Sequence, residues 1–146
     1  MIQIGFKVPE LTAQSKSPLD KGTWEAQFSK FVSGESSQKK TPYVQVVLKI
    51  VDEDAVDTEG NPYKRNLFGD TFYLTPAAMW RLKKFASEAD VEIPDAGEEY
   101  ETLSEFASDL TEAFSGMDLL VVTDLEEYES KDGDTRQKAV VAEYKF

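Results

Sequence analysis

The segment "FYLTPAAMWRLKKF", residues 72–85, decides how the chain is organised. It opens as an alternating β-strand and reaches Thr75-Pro76, a favourable helix start because threonine caps helices well and proline suits the first helical position. From there apolar residues recur at helical spacing as far as Ala89, and Trp80 lies beside this stripe, where it is expected to close the edge. The segment therefore predicts a strand that leads directly into a helix over residues 76–90.

Three strands are predicted before this helix, because apolar residues alternate with polar ones in each and turn residues separate them. The alternation in the first strand breaks near Ser29-Lys30, which indicates a bulge. In the third strand Phe68 and Phe72 are expected on one face, and Gly69 permits a bend. The predicted strands cover residues 23–32, 43–54 and 65–74, and the second and third are expected to form a hairpin.

The remainder of the chain predicts a second helix and two more strands. Residues 99–114 carry apolar side chains every three or four positions, and Gly116 would end this helix. Residues 117–129 are rich in β-forming residues, and Asp132-Gly133 marks a hairpin turn. The last residues then close the chain as a final strand.

This order of elements indicates the fold. Three strands, a helical region and two strands form the layout of a five-stranded antiparallel barrel, the oligonucleotide/oligosaccharide-binding (OB) fold, with helices between the third and fourth strands. A mainly β OB-fold domain is therefore expected over residues 22–146, with a helical insertion at about 76–114. An open α+β sheet with helices on one side is the alternative. Residues 1–21 are predicted to be an N-terminal arm or linker, because they include two prolines and several small polar residues.

The composition excludes several kinds of chemistry. The chain has no Cys and no His, so it can form neither a disulfide nor a thiolate metal site and lacks the commonest general base. It contains no phosphate-binding glycine motif, and the carboxylates of residues 52–59 lack the order of a calcium-binding loop. We therefore expect no enzymatic activity, no cofactor and no metal. The absence of a signal segment and of a membrane-length apolar run predicts a soluble, cytoplasmic protein.

Charge is distributed unevenly along the chain, whose net charge is −12. Residues 1–89 contain 12 Lys/Arg and 11 Asp/Glu, whereas residues 90–146 contain 4 and 17. The nearly neutral front half can present a local basic groove, and the acidic back half would repel nucleic acid or attract a basic partner. Acidity that only keeps the protein soluble is the alternative interpretation.

Four segments resemble phage-encoded OB-fold single-stranded DNA-binding proteins. They are GTWEAQF at 22–28, YVQVVLKIVD at 43–52, FYLTPAAMWRLKKF at 72–85 and the glycine-led GMDLLVV at 116–122. The resemblance covers about residues 22–146 and implies work on exposed DNA strands in replication or recombination, inside the host cell. Many proteins of that group end in an acidic tail that recruits partners, whereas this chain ends in the strand-like VVAEYKF. Replication or recombination partners would therefore dock on the acidic helical insertion.

Binding a single strand without reading its sequence requires aromatic faces for the bases and cations for the phosphates. The outward faces of the first three predicted strands, together with the last hairpin, can supply both. The predicted base platforms are Trp24, Tyr43 and Tyr73, and the predicted cationic track is Lys30, Lys39, Lys40, Lys49, Lys64 and Arg65, extended by Arg136 and Lys138. The helix cations Arg81, Lys83 and Lys84 are expected instead to cover the edge of the barrel.

Each of these residues also has an ordinary structural interpretation. Trp24 fits the core, because a large aromatic side chain on an alternating strand is usually buried. The cations near turns can be ordinary solvated surface charges. Arg136 and Lys138 can be engaged in ion pairs with Asp132, Asp134 or Glu129. The leading hypothesis is a non-catalytic protein, monomeric or dimeric, that coats single-stranded DNA. The alternative is an acidic protein-interaction module, such as a DNA mimic or an inhibitor of a host factor.

Overall fold

In the computed structural model, which describes residues 17–93 and 102–146, the protein is mainly β. The described residues form two helices and one antiparallel sheet of five strands. The strands are β1 (Gly22–Glu35), β2 (Pro42–Ile50), β3 (Asn66–Tyr73), β4 (Asp118–Glu129) and β5 (Thr135–Lys145), and the helices are α1 (Met79–Glu88) and α2 (Leu103–Ala113). The predicted order of three strands, helices and two strands is confirmed. Within the same ranges no helix is long and apolar enough to cross a membrane.

The strands lie in the order β3-β2-β1-β4-β5, and every neighbouring pair is antiparallel. β2 and β3 form the predicted hairpin. The register of β1 against β2 shifts between Phe28 and Lys30, which confirms the bulge predicted there. Because of this extra residue, Phe28 and Phe31 both reach the core, where their ring centroids are 5.4 Å apart. The bent β1 pairs with β4 over residues 22–27 and with β2 over residues 26–35.

A second bulge lies in β3 and changes which of its side chains face the core. The register of β3 against β2 shifts at Gly69 and Asp70, where β3 has one more residue than its partner. Phe72 is buried, whereas Phe68 is 56% exposed. The expectation that both rings share one face is therefore wrong, because the extra residue interrupts the two-residue alternation. Gly69, which was expected to permit a bend, lies in this bulge.

The Thr75-Pro76 helix start forms a turn that leads into α1. The carbonyl oxygen of Thr75 accepts the N–H groups of Ala78 and Met79, at 3.1 and 2.9 Å. The Thr75 hydroxyl accepts the Ala78 N–H as well, at 3.2 Å. Threonine thus closes the turn before the helix, and regular α-helix begins at Met79, three residues later than the sequence predicted.

α2 begins at a side-chain cap and covers part of the sheet. The hydroxyl of Thr102 accepts the N–H of Glu105 at 3.2 Å, while residues 99–101 of the predicted helix lie outside the described residues. The Thr111 hydroxyl accepts the N–H of Phe31 at 3.0 Å, which ties α2 to β1. Between helices and sheet lies a ring cluster with neighbouring centroids 5.2–6.4 Å apart, formed by Phe28, Phe31, Phe72, Phe85 and Phe114.

β3 and β5, the two outer strands of the sheet, approach each other along a line termed here the β3–β5 seam. The backbone N–H of Asp70 on β3 donates to the hydroxyl of Tyr144 on β5 at 2.9 Å. No backbone ladder joins the two strands within the described residues, so the sheet is not closed into a barrel. Side chains, rather than paired backbones, bridge the seam.

Residues 17–20, the described end of the predicted N-terminal arm, lie against the loop between β2 and β3. Leu19 is fully buried. The N–H of Asp20 donates to the carbonyl of Val56, and the N–H of Thr58 donates to the carbonyl of Pro18, both at 3.0 Å. This short segment is therefore part of the packed domain, whereas residues 1–16 lie outside the described residues.

Candidate nucleic-acid interface

The predicted platforms Tyr43 and Tyr73 lie on the side of β1, β2 and β3 that points away from the core, termed here the outer face. They are direct cross-strand partners, and their rings meet edge to face with centroids 5.9 Å apart. Gly34 of β1 is the next partner in this row, and a Cβ there would lie 2.6 Å from the Tyr43 hydroxyl oxygen. The missing side chain of Gly34 therefore leaves the space that Tyr43 occupies. Tyr73 is 40% exposed, so a ligand can reach its ring.

A second row on the outer face combines an aromatic ring with a cation. Phe68 of β3 is the partner of Val47 of β2, which is in turn the partner of Lys30 of β1. Lys49 lies two positions further along β2 on the same side, and both lysines are exposed. The tyrosine pair and Lys49 lie at opposite ends of β2, roughly 20 Å apart at the usual rise per residue. The outer face thus brings together Lys30, Tyr43, Lys49 and Tyr73, with Phe68 as an unpredicted member.

Trp24 lies on the other side of β1, with buried Ala26. Its indole Nε1–H donates to the carbonyl of Asp20 and to the hydroxyl of Thr123, both at 3.1 Å. The indole also lies across Gly22, where a Cβ would come within 2.8 Å of the ring. These contacts place Trp24 beside the core and away from the exposed rings.

Lys39 and Lys40 lie in the turn between β1 and β2, at the tyrosine end of the outer face. The turn is closed by the N–H of Ser36, which donates to the carbonyl of Thr41 at 2.9 Å. Lys40 has a positive φ of 54° and donates its N–H to the carbonyl of Ser36 at 3.1 Å. Both side chains are exposed, so two cations flank the tyrosine pair.

A cleft of about 700 Å³ opens along the β3–β5 seam. Phe68 of the outer face lines one wall, and residues 137–141 of β5 line the other. Two predicted cations, Arg65 and Lys138, also line this cleft, on the β3 side and the β5 side respectively. The cleft therefore joins the outer face to the last hairpin.

Arg65 is held in place at this cleft by two contacts. Its guanidinium donates to the carbonyl of Ser17, and its central carbon lies 4.6 Å from the centroid of the Tyr63 ring. The Tyr63 hydroxyl donates to the carbonyl of Asn66 at 2.9 Å, and burial raises the pKa of Tyr63. Lys64 beside it is exposed. Arg65 is thus a fixed cation, and Lys64 is a solvent-exposed one.

Arg136 and Lys138 lie on β5 just beyond its turn with β4, and each faces an acid. The Arg136 guanidinium is 3.9 Å from the carboxylate of Asp132, and the Lys138 ammonium is 3.6 Å from that of Glu126. Pairing with Asp132 was the ordinary interpretation of Arg136. All four side chains are more than half exposed, and exposed pairs contribute little free energy. A phosphate group can therefore replace either acid at small cost.

Asp70 is an acid within the cleft, and its charge is unfavourable there. The carboxyl is half-buried, and burial raises its pKa, while the Arg81 guanidinium acts in the opposite direction. Burial also raises the pKa of Tyr144, which the nearby charge of Asp70 raises further. Burial thus disfavours the charged form of Asp70, and Arg81 partly offsets this effect.

Two acids of residues 52–59, Asp52 and Asp57, accept hydrogen bonds from backbone N–H groups. The Asp52 carboxylate accepts the N–H groups of Glu25 and Asp54 at 3.0 and 2.9 Å. One oxygen of Asp57 accepts two further N–H groups of the loop, at 2.9 and 3.0 Å. Across residues 17–93 and 102–146, no group of three or more acidic side chains is arranged to hold a metal ion. The carboxylates of Asp52 and Asp57 are therefore accounted for by these backbone hydrogen bonds.

Phe68 and Trp80 are the two most exposed rings of the described residues, and neither was among the predicted platforms. Phe68 was assigned to the core face, and the signal that could have corrected this is Gly69, since glycine inside a strand often marks a bulge. Trp80 was expected to close the edge of its helix, yet it is 60% exposed on the first turn of α1. Its position outside the apolar stripe was the available signal.

Comparison of the chain with protein-family models and with curated protein sequences found no match.

Proposed function

We propose that the protein binds single-stranded DNA, largely without reading its sequence and without catalysing a reaction. The observation that carries this proposal is the outer face, where the rings of Tyr43, Tyr73 and Phe68 accompany the cations Lys30 and Lys49. Unpaired bases stack on such rings for about 1–3 kcal/mol each, and every base offers a suitable face. Cations beside the rings bind the phosphates and release counterions.

The finer fold that we propose is an OB barrel left partly open at the β3–β5 seam. OB-folds bind nucleic acid on their second and third strands, and in the loops that join strands one and two and strands four and five. Here the rings lie on β2 and β3, Lys39 and Lys40 lie in the first of these loops, and Arg136 flanks the second. The hydrogen bond from Asp70 to Tyr144 supports this proposal, because it joins the strands that would complete the barrel.

The biological setting that we propose is phage DNA replication or recombination in the host cytoplasm. Its support is the resemblance of four segments to phage-encoded single-stranded DNA-binding proteins. Partner proteins of those pathways would dock on the acidic helical insertion, where Glu105 and Glu112 are exposed on α2. Residues 94–101 of that insertion lie outside the described residues.

Titration with labelled DNA tests the proposal directly. Fluorescence anisotropy of an oligothymidine of about 16 nucleotides, the upper end of OB-fold site sizes, gives the Kd. Binding at about 50 mM salt that weakens steeply by about 200 mM is expected, since phosphate contacts release counterions. A duplex of the same length should bind more weakly, because its bases are not free to stack. A folded protein that leaves the single strand unbound at low salt would refute the proposal.

One observation favours a second function, that of an acidic protein-interaction module. The distal half of the β4–β5 hairpin is exposed on both faces. Its acids are Glu126, Glu127, Glu129, Asp132 and Asp134. Such a surface would meet a basic partner and would not need the rings of the outer face. Absence of DNA binding in the titration, with the fold intact by circular dichroism, would favour this second function.

A further inference from the structure

A second cleft, of about 350 Å³, lies between α1 and the end of β5. It shares Asp70 and Val141 with the larger cleft on the β3–β5 seam. Because the same two residues line both, the clefts are neighbours, and together they are termed here the trough. The trough starts beside Phe68 on the outer face and ends at α1.

The far part of this trough is lined by an exposed indole and two cations. Trp80 is 60% exposed, the largest exposed fraction among the bulky apolar side chains of the described residues. Arg81 and Lys84 line the cleft with it. Tryptophan is normally well buried, so an indole left in solvent beside cations marks a contact surface.

We propose that a single DNA strand bound on the outer face continues along this trough and stacks a base on Trp80. The proposal rests on the proposed function and extends its site. The ligand is a polyanion with aromatic bases, which matches both groups on α1, since the indole takes a base and Arg81 and Lys84 take phosphates.

Acids set the limit of this path. Glu88 on the last turn of α1 and Glu143 near the end of β5 line the same cleft. Glu88 is about 12 Å from Trp80 along the helix axis at the usual rise of an α-helix. The DNA strand therefore stops before the last turn of α1, since the Glu88 carboxylate there repels phosphates. Asp70 in mid-trough is the remaining acid, and Arg81 lies close enough to lower its pKa against the effect of burial.

Oligonucleotides of different length test binding in the trough separately from binding on the outer face. We would measure Kd for oligothymidines of about 6 and about 16 nucleotides, within the range of OB-fold site sizes. Trp80→Ala should weaken binding of the long strand about fivefold or more and leave binding of the short strand unchanged. Leu120→Ala, which truncates an exposed apolar side chain of β4 that lines neither cleft, serves as the control and should change neither.

Tryptophan emission provides an independent measurement. Trp24 and Trp80 are the two tryptophans of the chain, and Trp24 is held by two hydrogen bonds beside the core. The long strand should quench the emission of the wild type. Trp80→Phe should keep most of the affinity, because phenylalanine still offers a stacking face, but should lose the quenching.

The outcomes distinguish the two proposals. If the wild type binds both strands and Trp80→Ala changes neither affinity, the extension fails while single-strand binding stands. An equal loss for both lengths would also overturn the extension, because it would place Trp80 within the primary site. If the wild type binds neither strand, both proposals fail, and the indole is then left as a contact for a protein partner.

Discussion

The hydroxyl of Tyr144 accepts the backbone N–H of Asp70 at 2.9 Å, although the two residues are 74 positions apart. This bond joins β3 to β5 at a place where their backbones do not pair. Tyr144 also packs against the core, with its ring edge-on to Phe85 at 4.9 Å between centroids. One side chain therefore both bridges the seam and covers the core beneath it.

Tyr144→Phe should destabilise the protein by about 1–2 kcal/mol, because the half-buried N–H of Asp70 then loses its partner while the ring remains. Chemical denaturation followed by circular dichroism measures the change. Tyr128→Phe, at an exposed ring of the β4–β5 hairpin, is the control and should leave the free energy of unfolding unchanged. Equal stability of the two variants would show that the bond across the seam contributes nothing.

Gly69→Ala should lower the free energy of unfolding by about 1–3 kcal/mol, the usual range for overpacking a packed site. A Cβ at Gly69 would lie 2.6 Å from both the Tyr144 hydroxyl oxygen and a methyl carbon of Val46. The same substitution in a Val46→Ala/Tyr144→Phe background should cost less, because both obstructing groups are gone. Identical costs in the two backgrounds, again from denaturation curves, would contradict this steric explanation.

Asp70 should titrate above 3.8, the ordinary value for its carboxyl, because burial raises its pKa. A group whose pKa is raised on folding binds its proton more tightly in the folded state. Its charge therefore destabilises the fold at neutral pH, and this penalty disappears as the pH falls through the folded pKa. Asp70→Asn should accordingly gain stability relative to the wild type near pH 7, and the gain should shrink in acid.

Carboxyl NMR titration of the folded protein checks this directly. Asp52 provides an internal control with the opposite sign, because hydrogen bonds from the N–H groups of Glu25 and Asp54 lower its pKa. The Asp70 midpoint should lie above 3.8 and the Asp52 midpoint below it. The reverse order would show that the carboxyl of Asp70 is not buried in the seam.

Phe68→Ala should raise the Kd for a single strand about 5- to 150-fold, which corresponds to about 1–3 kcal/mol for one lost stacking platform. The ring is more than half exposed, so the variant should keep nearly all of its stability. Leu120→Ala is the matched control, since Leu120 is an exposed apolar residue of β4, away from the rings. Unchanged affinity in Phe68→Ala would remove this ring from the site.

Lys49→Ala should make binding less dependent on salt. Each phosphate contact to a single strand contributes about 0.7 to the slope of log K against log salt, so the slope should fall by about that amount. Lys21→Ala, at an exposed cation just before β1 that lines neither cleft, should leave the slope as it is. A slope that Lys49→Ala does not alter would place Lys49 outside the path of the phosphates.

Most elements of the fold could be predicted because each has a local signal in the sequence. Alternation marked the strands, and the break near Lys30 marked a bulge that the structure contains. Thr75-Pro76 predicted the start of a helix. In the structure the hydrogen bonds of Thr75 form a turn, and α1 begins after it at Met79. Local signals specify the type of element well and its first residue less well.

The structural features that could not be predicted from the sequence depend on contacts between distant segments. Phe68 changed faces because one extra residue in β3 reset the alternation. The seam depends on a hydrogen bond between Asp70 and Tyr144, which no short-range pattern announces. Four of the predicted site residues share one face because strand register places them there, namely Lys30, Tyr43, Lys49 and Tyr73. Trp24 lies on the other side of β1, where its indole N–H donates to the carbonyl of Asp20.

The burial of Leu19 limits how far the chain can be truncated at its N-terminal end. A fragment starting at Gly22, where regular β-structure begins, would lack a wholly enclosed leucine and the Asp20 carbonyl that both Trp24 and Thr123 use. Loss of a core leucine alone typically costs about 2–5 kcal/mol, a large share of what holds a domain of this size together. A fragment meant to fold on its own should accordingly begin no later than Ser17, ahead of the first strand.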